Sequence, residues 1–182
     1  MLNKILSYGV VAGLIAGIPL CVFALALSDH APMGYGMVIG YVTMLIALSA
    51  VFVAIKRYRD VELGGVIRFW PAFALGLGIS IVAGIVYSLS WEASLALTHT
   101  DFASTYANTL IEQQKAAGVT GEALAKFTAE MEQFKRDYAN PLYRLPMTFT
   151  EIFPVGVLVS LISAALLRNS RFLPARRAPA IA

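Results

Sequence analysis

LPMTFTEIFPVGVLVSLISAALL, residues 145–167, runs for 23 positions with a single ionisable group, Glu151. About 20 helical residues at 1.5 Å each cross the roughly 30 Å hydrocarbon core of a bilayer, so the stretch has the length and composition of a transmembrane helix. A membrane β-strand would alternate apolar and polar residues over about 10 positions, and this run does not alternate. Three further windows, residues 5–27, 33–55 and 69–95, share the pattern. The chain is 58% hydrophobic and 14% charged, against about 25% charged residues in soluble domains. The fold class that follows is an all-α integral membrane protein with four transmembrane helices in a single membrane domain.

Charge asymmetry orients the spans. Nine of the fourteen Lys and Arg residues lie before the first span, between the second and third, or after the fourth, with only Asp60 and Glu62 as acids on that side. The positive-inside rule makes that side cytoplasmic, with both termini inside, a basic tail over 168–182 and residues 98–144 outside. The lipid bilayer is the first partner, and the basic tail suits anionic headgroups. Nucleic acid is excluded, since no basic face is left over for it. Cys21 is the one cysteine, which rules out an intrachain disulfide or a cysteine-based metal or redox pair. Ala26 and Ser28 resemble a signal-peptidase site, but the apolar stretch before them is about 23 residues, longer than the 7–15 of a usual signal core, so the first span is expected to be retained.

Small residues recur at helical spacing. Gly9, Gly13 and Gly17 mark one face of the first span, Gly36 and Gly40 one face of the second, and Gly76 and Gly84, with Ser80 and Ser88 between and beyond, one face of the third. Such stripes let helix backbones approach closely and predict a tight bundle.

Residues 101–139 read as an extracytoplasmic amphipathic helical hairpin between the third and fourth spans. Phe102, Ala103, Tyr106, Ala107, Leu110 and Ile111 form one stripe, with Asp101 as N-cap and Gly118 as stop. Leu124, Phe127, Met131, Phe134 and Tyr138 form a narrower seam, with the pairs Glu122/Lys126, Lys126/Glu130 and Glu132/Arg136 expected opposite. The two stripes are expected to cover one another over the outer mouth of the bundle. Six acids and five bases in the loop argue against adsorption to lipid through a basic face.

Glu151 and Glu92 are the acids nearest the bilayer, and an ionisable group in a span is a candidate functional site. A fourth helix beginning near Leu145 places Glu151 about 9 Å below its start, in the outer third of the membrane and within reach of water or Arg144. Pro154 removes its own N–H and clashes with the Thr150 carbonyl, so a kink eased by the Thr148 or Thr150 hydroxyl is expected. On the cytoplasmic side Lys56, Arg57, Arg59 and Arg68 surround the Gly64–Gly65 turn and are candidates for binding a lipid headgroup. His30 and His99 lie near Asp29, Asp101 and Glu92 without a recognised ligand spacing, so no metal site is expected. No catalytic motif is present, no cofactor is implied and the chain is not expected to be an enzyme.

GYVTMLIALSAVFVAIKRYRD at residues 40–60 with ELGG at 62–65, AEMEQFKRDYANPLYRLPMTF at 129–149 and EIFPVGVLVSLISAALLR at 151–168 resemble the bacterial membrane family catalogued as domain of unknown function 4199. The resemblance covers essentially the whole chain. It implies an inner-membrane protein of four helices with the first span retained, and it implies no activity. The resulting expectation is a non-enzymatic accessory or assembly subunit that meets a membrane-protein partner or a second copy of itself. Alternatives are a small ion-coupled transporter or channel using Glu151, with Glu92 as a second candidate, and then a membrane enzyme acting on lipid-linked substrates.

Overall fold

A computed structural model of the chain describes residues 1–26, 35–99 and 101–175, with side chains over 1–22, 38–99 and 101–175. The described residues form six helices and no strand: α1 (Leu2–Ala26), α2 (Tyr35–Glu62), α3 (Phe69–Thr98), α4 (Phe102–Ala116), α5 (Gly121–Tyr138) and α6 (Pro141–Leu167). Helices α1, α2, α3 and α6 are long and apolar enough to cross a membrane, with mean hydropathy between 2.0 and 2.5. The protein is an all-helical membrane protein. Residues Asp29, His30 and the end of the basic tail fall outside the described residues, as does Ser28 of the signal-peptidase-like stretch.

Four helix ends lie beyond the expected limits, α1 beginning at Leu2 and the other three each having a local reason. Helix α6 begins at Pro141 rather than near Leu145, because Asn140 caps it by accepting the Leu142 N–H at 3.0 Å and proline at the first position gives up no helical hydrogen bond. Helix α2 continues past residue 55 to Glu62, carrying Lys56 and Asp60 as an i,i+4 ion pair at 2.5 Å. Helix α3 runs to Thr98 and stops where His99 turns left-handed, at φ 52°.

Helix α3 is the hub. It packs most closely on α1 and α6, while α2 closes the ring between those two and touches α3 less. Helices α1 and α3 run parallel at a constant offset: Gly9 lies against Val82, Gly13 against Val86, Gly17 against Ser90, and Ser94 bonds Cys21, 73 positions away. Glycine is required here. A Cβ on Gly13 would sit 2.5 Å from Val86 Cβ and 2.8 Å from the Ala83 carbonyl. Helices α3 and α6 run antiparallel, with Gly76 against Ser160, Gly156 against Ser80 and Gly84 under the Phe149 ring. The Ser80 and Ser160 hydroxyls meet at 3.2 Å in the buried crossing, and each also donates to its own helix, to the Gly76 and Gly156 carbonyls.

The second span departs from the stripe read for it. A Cβ on Gly40 would meet nothing within 4 Å, and Gly36 lies in the first turn of α2. Instead α2 packs through Ala47, Leu48, Val51, Ala54 and Ile55, all fully buried. Larger apolar side chains such as Ile46, Leu89, Leu158 and Ile162 stand exposed around the ring, as a lipid-facing surface requires.

Candidate functional site

Polar chemistry concentrates where the bundle meets the α4–α5 hairpin. Glu92, near the end of α3, receives two hydrogen bonds from Arg144, near the start of α6: Nε to Oε1 at 2.6 Å and Nη2 to Oε2 at 2.5 Å. This is the bidentate fork that the planar guanidinium and carboxylate favour. Arg144 also donates Nη1 to the Tyr138 carbonyl at 3.0 Å and lies over the Tyr138 ring at 5.5 Å. Trp91 donates its indole N–H to the Tyr138 hydroxyl at 2.7 Å. Phe102 stacks edge-on against Trp91 at 5.1 Å and meets Tyr106 and Tyr138, and Phe134 completes the cluster. The last residue of α5 is thereby tied to α3, α4 and α6 at once.

The hairpin above this base has the two stripes facing each other, with Ala103, Ala107 and Ile111 of α4 buried and the α5 seam half-buried down to a buried Tyr138. Asp101 caps α4 by accepting the Ser104 N–H at 3.0 Å. Those bonds to Ser104 hold its carboxyl below the ordinary range. Burial pushes the Tyr138 phenol up to about 12. On α5 Glu132 pairs with Lys135, three positions on, instead of Arg136, because Lys135 also reaches Asn108 on α4 at 3.1 Å and so turns toward the hairpin seam. Neither Glu122/Lys126 nor Lys126/Glu130 is among the ion pairs of the described residues.

Glu151 does not join Arg144. It lies seven residues further along α6, about 10 Å deeper at 1.5 Å per residue, where its carboxylate interacts with the hydroxyl of Tyr87, a buried residue of α3. The carboxylate side of α6 is otherwise exposed at Thr150, Glu151 and Pro154. Helix α6 continues through Pro146 and Pro154. The Thr148 hydroxyl bonds the Arg144 carbonyl at 3.0 Å and the Thr150 hydroxyl bonds the Met147 carbonyl at 2.7 Å, so both act on carbonyls above the Thr150 carbonyl that Pro154 frees.

The sequence matches the family described as protein of unknown function (DUF4199) over residues 7–169. The chain belongs to that family. No curated protein and no solved structure matches it.

At the opposite end of this DUF4199 bundle, the four headgroup candidates are not brought together. Arg59 is fully buried. It donates to Asp60 at 2.7 Å, to the Leu167 and Phe172 carbonyls at 3.4 and 3.0 Å, and to the Leu173 carbonyl at 2.5 Å. A cation there satisfies carbonyls left over at and beyond the C-terminus of α6. Lys56 is held by Asp60, and Lys4 pairs with Glu62. Only Arg57 and Arg68 stand exposed, near the Gly64–Gly65 turn whose residues have φ of 63° and 92°. His99 serves as the C-cap of α3, and the described residues contain no cluster of three metal-ligating side chains.

Trp91, Tyr138 and Tyr87 carry parts of these sites that the sequence reading passed over. Tyr138 was legible only as the end of a seam. A Trp–Glu pair closing one span and a Tyr and Arg flanking the start of the next are the signals that pointed to it, since amphipathic aromatics and Arg gather at the bilayer boundary. For Arg59 the signal was spacing: it continues the stripe of Val51 and Ile55 that faces the core.

Proposed function

We propose that this DUF4199 protein is a non-enzymatic accessory or assembly subunit of the bacterial cytoplasmic membrane, with both termini in the cytoplasm and the α4–α5 hairpin outside. The orientation rests on the Lys and Arg bias of the termini and the α2–α3 connection. The observation that carries the role is the four-way tie at Tyr138. An indole hydrogen bond from Trp91, an Arg144 hydrogen bond to the Tyr138 carbonyl and an aromatic cluster fix the hairpin to α3 and α6, which suits a surface presented to a partner better than a moving lid. The outward face of α5, including Ala125, Ala129 and Gln133, is exposed and would be the contact.

Photocrosslinking from positions 125, 129 and 133 in native membranes tests this reading. A discrete adduct from the hairpin that is absent from the lipid-facing position 45 is the expected result, and an adduct with a second copy of the chain would identify the partner as itself. Uniform absence of adducts from the hairpin, with the protein intact in the membrane, refutes the role. A second reading has its own observation: the Glu151 carboxylate beside the Tyr87 hydroxyl within the membrane span suits a protonatable site in ion-coupled transport. Proton flux in liposomes that is lost in Glu151→Gln would favour it, and flux equal in both proteins would remove Glu151 from any such path.

A further inference from the structure

An open cleft of about 340 Å³ lies at the base of the hairpin, between the last turn of α3, the first turn of α4, the end of α5 and the first turn of α6. Glu92, Asp101, Phe102, Lys135, Tyr138 and Arg144 line it. Glu92 and Arg144 neutralise one another. What remains is one carboxylate, Asp101, and one ammonium, Lys135, close enough for the cation to act on the acid but not joined in an ion pair within 4.0 Å among the described residues. Lys135 also bonds Glu132 and Asn108; the pair with the exposed Glu132 is a surface one and weak. The Tyr138 side chain is 6% exposed. Its oxygen accepts from Trp91 behind the cleft lining.

Opposite charges facing each other across a gap complement a ligand that carries the same two charges in reverse order. We propose that this cleft binds a zwitterion made of an ammonium and a phosphate, the ammonium against Asp101 and the phosphate against Lys135. The volume falls within the usual range for small-ligand sites, about 300–1,000 Å³. The cleft sits where two membrane spans end, and that is the level of lipid headgroups. Leu97 and Leu142, each more than two thirds exposed, belong to the same end turns of α3 and α6 and offer apolar surface for acyl chains. A phosphatidylethanolamine headgroup and free phosphoethanolamine share the required chemistry.

Native mass spectrometry of the full chain, delipidated and then exchanged into nanodiscs of equal phosphatidylethanolamine and phosphatidylglycerol, tests the proposal, with isothermal calorimetry against soluble phosphoethanolamine as the second arm. Wild type retains phosphatidylethanolamine over phosphatidylglycerol by about tenfold, the factor that 1.4 kcal/mol of one charged contact supplies. Asp101→Asn keeps the helix cap, since Asn caps as well as Asp, and loses the preference while still retaining lipid. Lys135→Gln lowers retention of both lipids, and Lys135→Arg restores it. Binding of soluble phosphoethanolamine as tight as that of the lipid, with the same response to both substitutions, supports the zwitterion site and assigns it to the free compound. Equal retention of the two lipids by wild type, with no calorimetric signal for phosphoethanolamine, overturns the proposal, as does a preference that Asp101→Asn leaves intact.

Discussion

Replacing both members of the Glu92–Arg144 pair should be little worse than replacing Arg144 alone. The side chains are 22% and 15% exposed, so the pair is neither a screened surface bridge worth about 0–1 kcal/mol nor a fully buried one. Glu92→Gln removes the charge and leaves the guanidinium with a neutral partner, at a cost of about 2 kcal/mol. Arg144→Met strands the Glu92 carboxylate and also gives up the bond to the Tyr138 carbonyl and the contact over its ring, for about 3–4 kcal/mol. In the double variant no charge is left unpaired, so the total should remain near 4 kcal/mol and the coupling should be about 1–2 kcal/mol. Trp91 is a built-in probe, stacked on Phe102 and bonded to Tyr138. In a Trp70→Phe background its emission reports release of the hairpin during titration with a denaturing detergent. Additive losses, with coupling below about 0.5 kcal/mol, would refute the reasoning, and so would single variants whose Trp91 emission stays at the wild-type position.

The same titration gives three further outcomes. Gly13→Leu should destabilise the bundle by about 2–3 kcal/mol because α1 must move off α3, whereas Gly40→Ala, with open space around it, should stay within about 0.5 kcal/mol. Arg59→Met strips the donor from the Leu167, Phe172 and Leu173 carbonyls and should cost about 3 kcal/mol or more, with faster proteolysis after Leu167; Arg59→Lys should not rescue it, since one ammonium cannot reach all three. Tyr138 is raised by burial to about 12 from an ordinary 10.0, so its neutral form stabilises the docked hairpin fully below pH 10. That contribution, about 2–3 kcal/mol, should fade as pH climbs from 10 through 12 when followed by Trp91 emission, and Tyr138→Phe should remove the dependence.

Length and composition were enough for the four spans, because the bilayer imposes a minimum apolar run, and helical periodicity was enough for α4 and α5 to be read as helices. The faces of α1 and α3 were also legible, since small residues at every fourth position leave a groove that only a neighbouring backbone fills. Gly40 shows the limit of that reading. The spacing from Gly36 was correct, yet whether a groove is used depends on where the partner helix crosses, and α2 meets its neighbours further along at Ala47, Val51 and Ala54. Partner choice was illegible for the same reason. Arg144 was within a helical face of Glu151, but the antiparallel register of α3 and α6 places Glu92 directly opposite it, and no pattern within one segment records the register between two. Arg59 was read as a surface cation because positive charge near a span end usually is one; its burial depends on chain that returns after α6.

That register orders the polar groups of α3 and α6 by depth. At the hairpin end a full ion pair joins Glu92 to Arg144. About 8–10 Å further in, a single carboxylate meets a phenol at Glu151 and Tyr87, and about 18–24 Å from the pair only hydroxyls meet, at Ser80 and Ser160. Charge declines as the cost of holding it in hydrocarbon rises, and the deepest hydroxyls are already satisfied by their own helix carbonyls. The three levels share one alignment, so sliding α6 by a turn, about 5.4 Å, would part all of them at once and drive Ser80 and Ser160 against side chains instead of Gly156 and Gly76. Packing of small residues sets how close the two helices come. The polar pairs set where along their length they meet, and Glu151 belongs to that alignment whether or not it also handles protons.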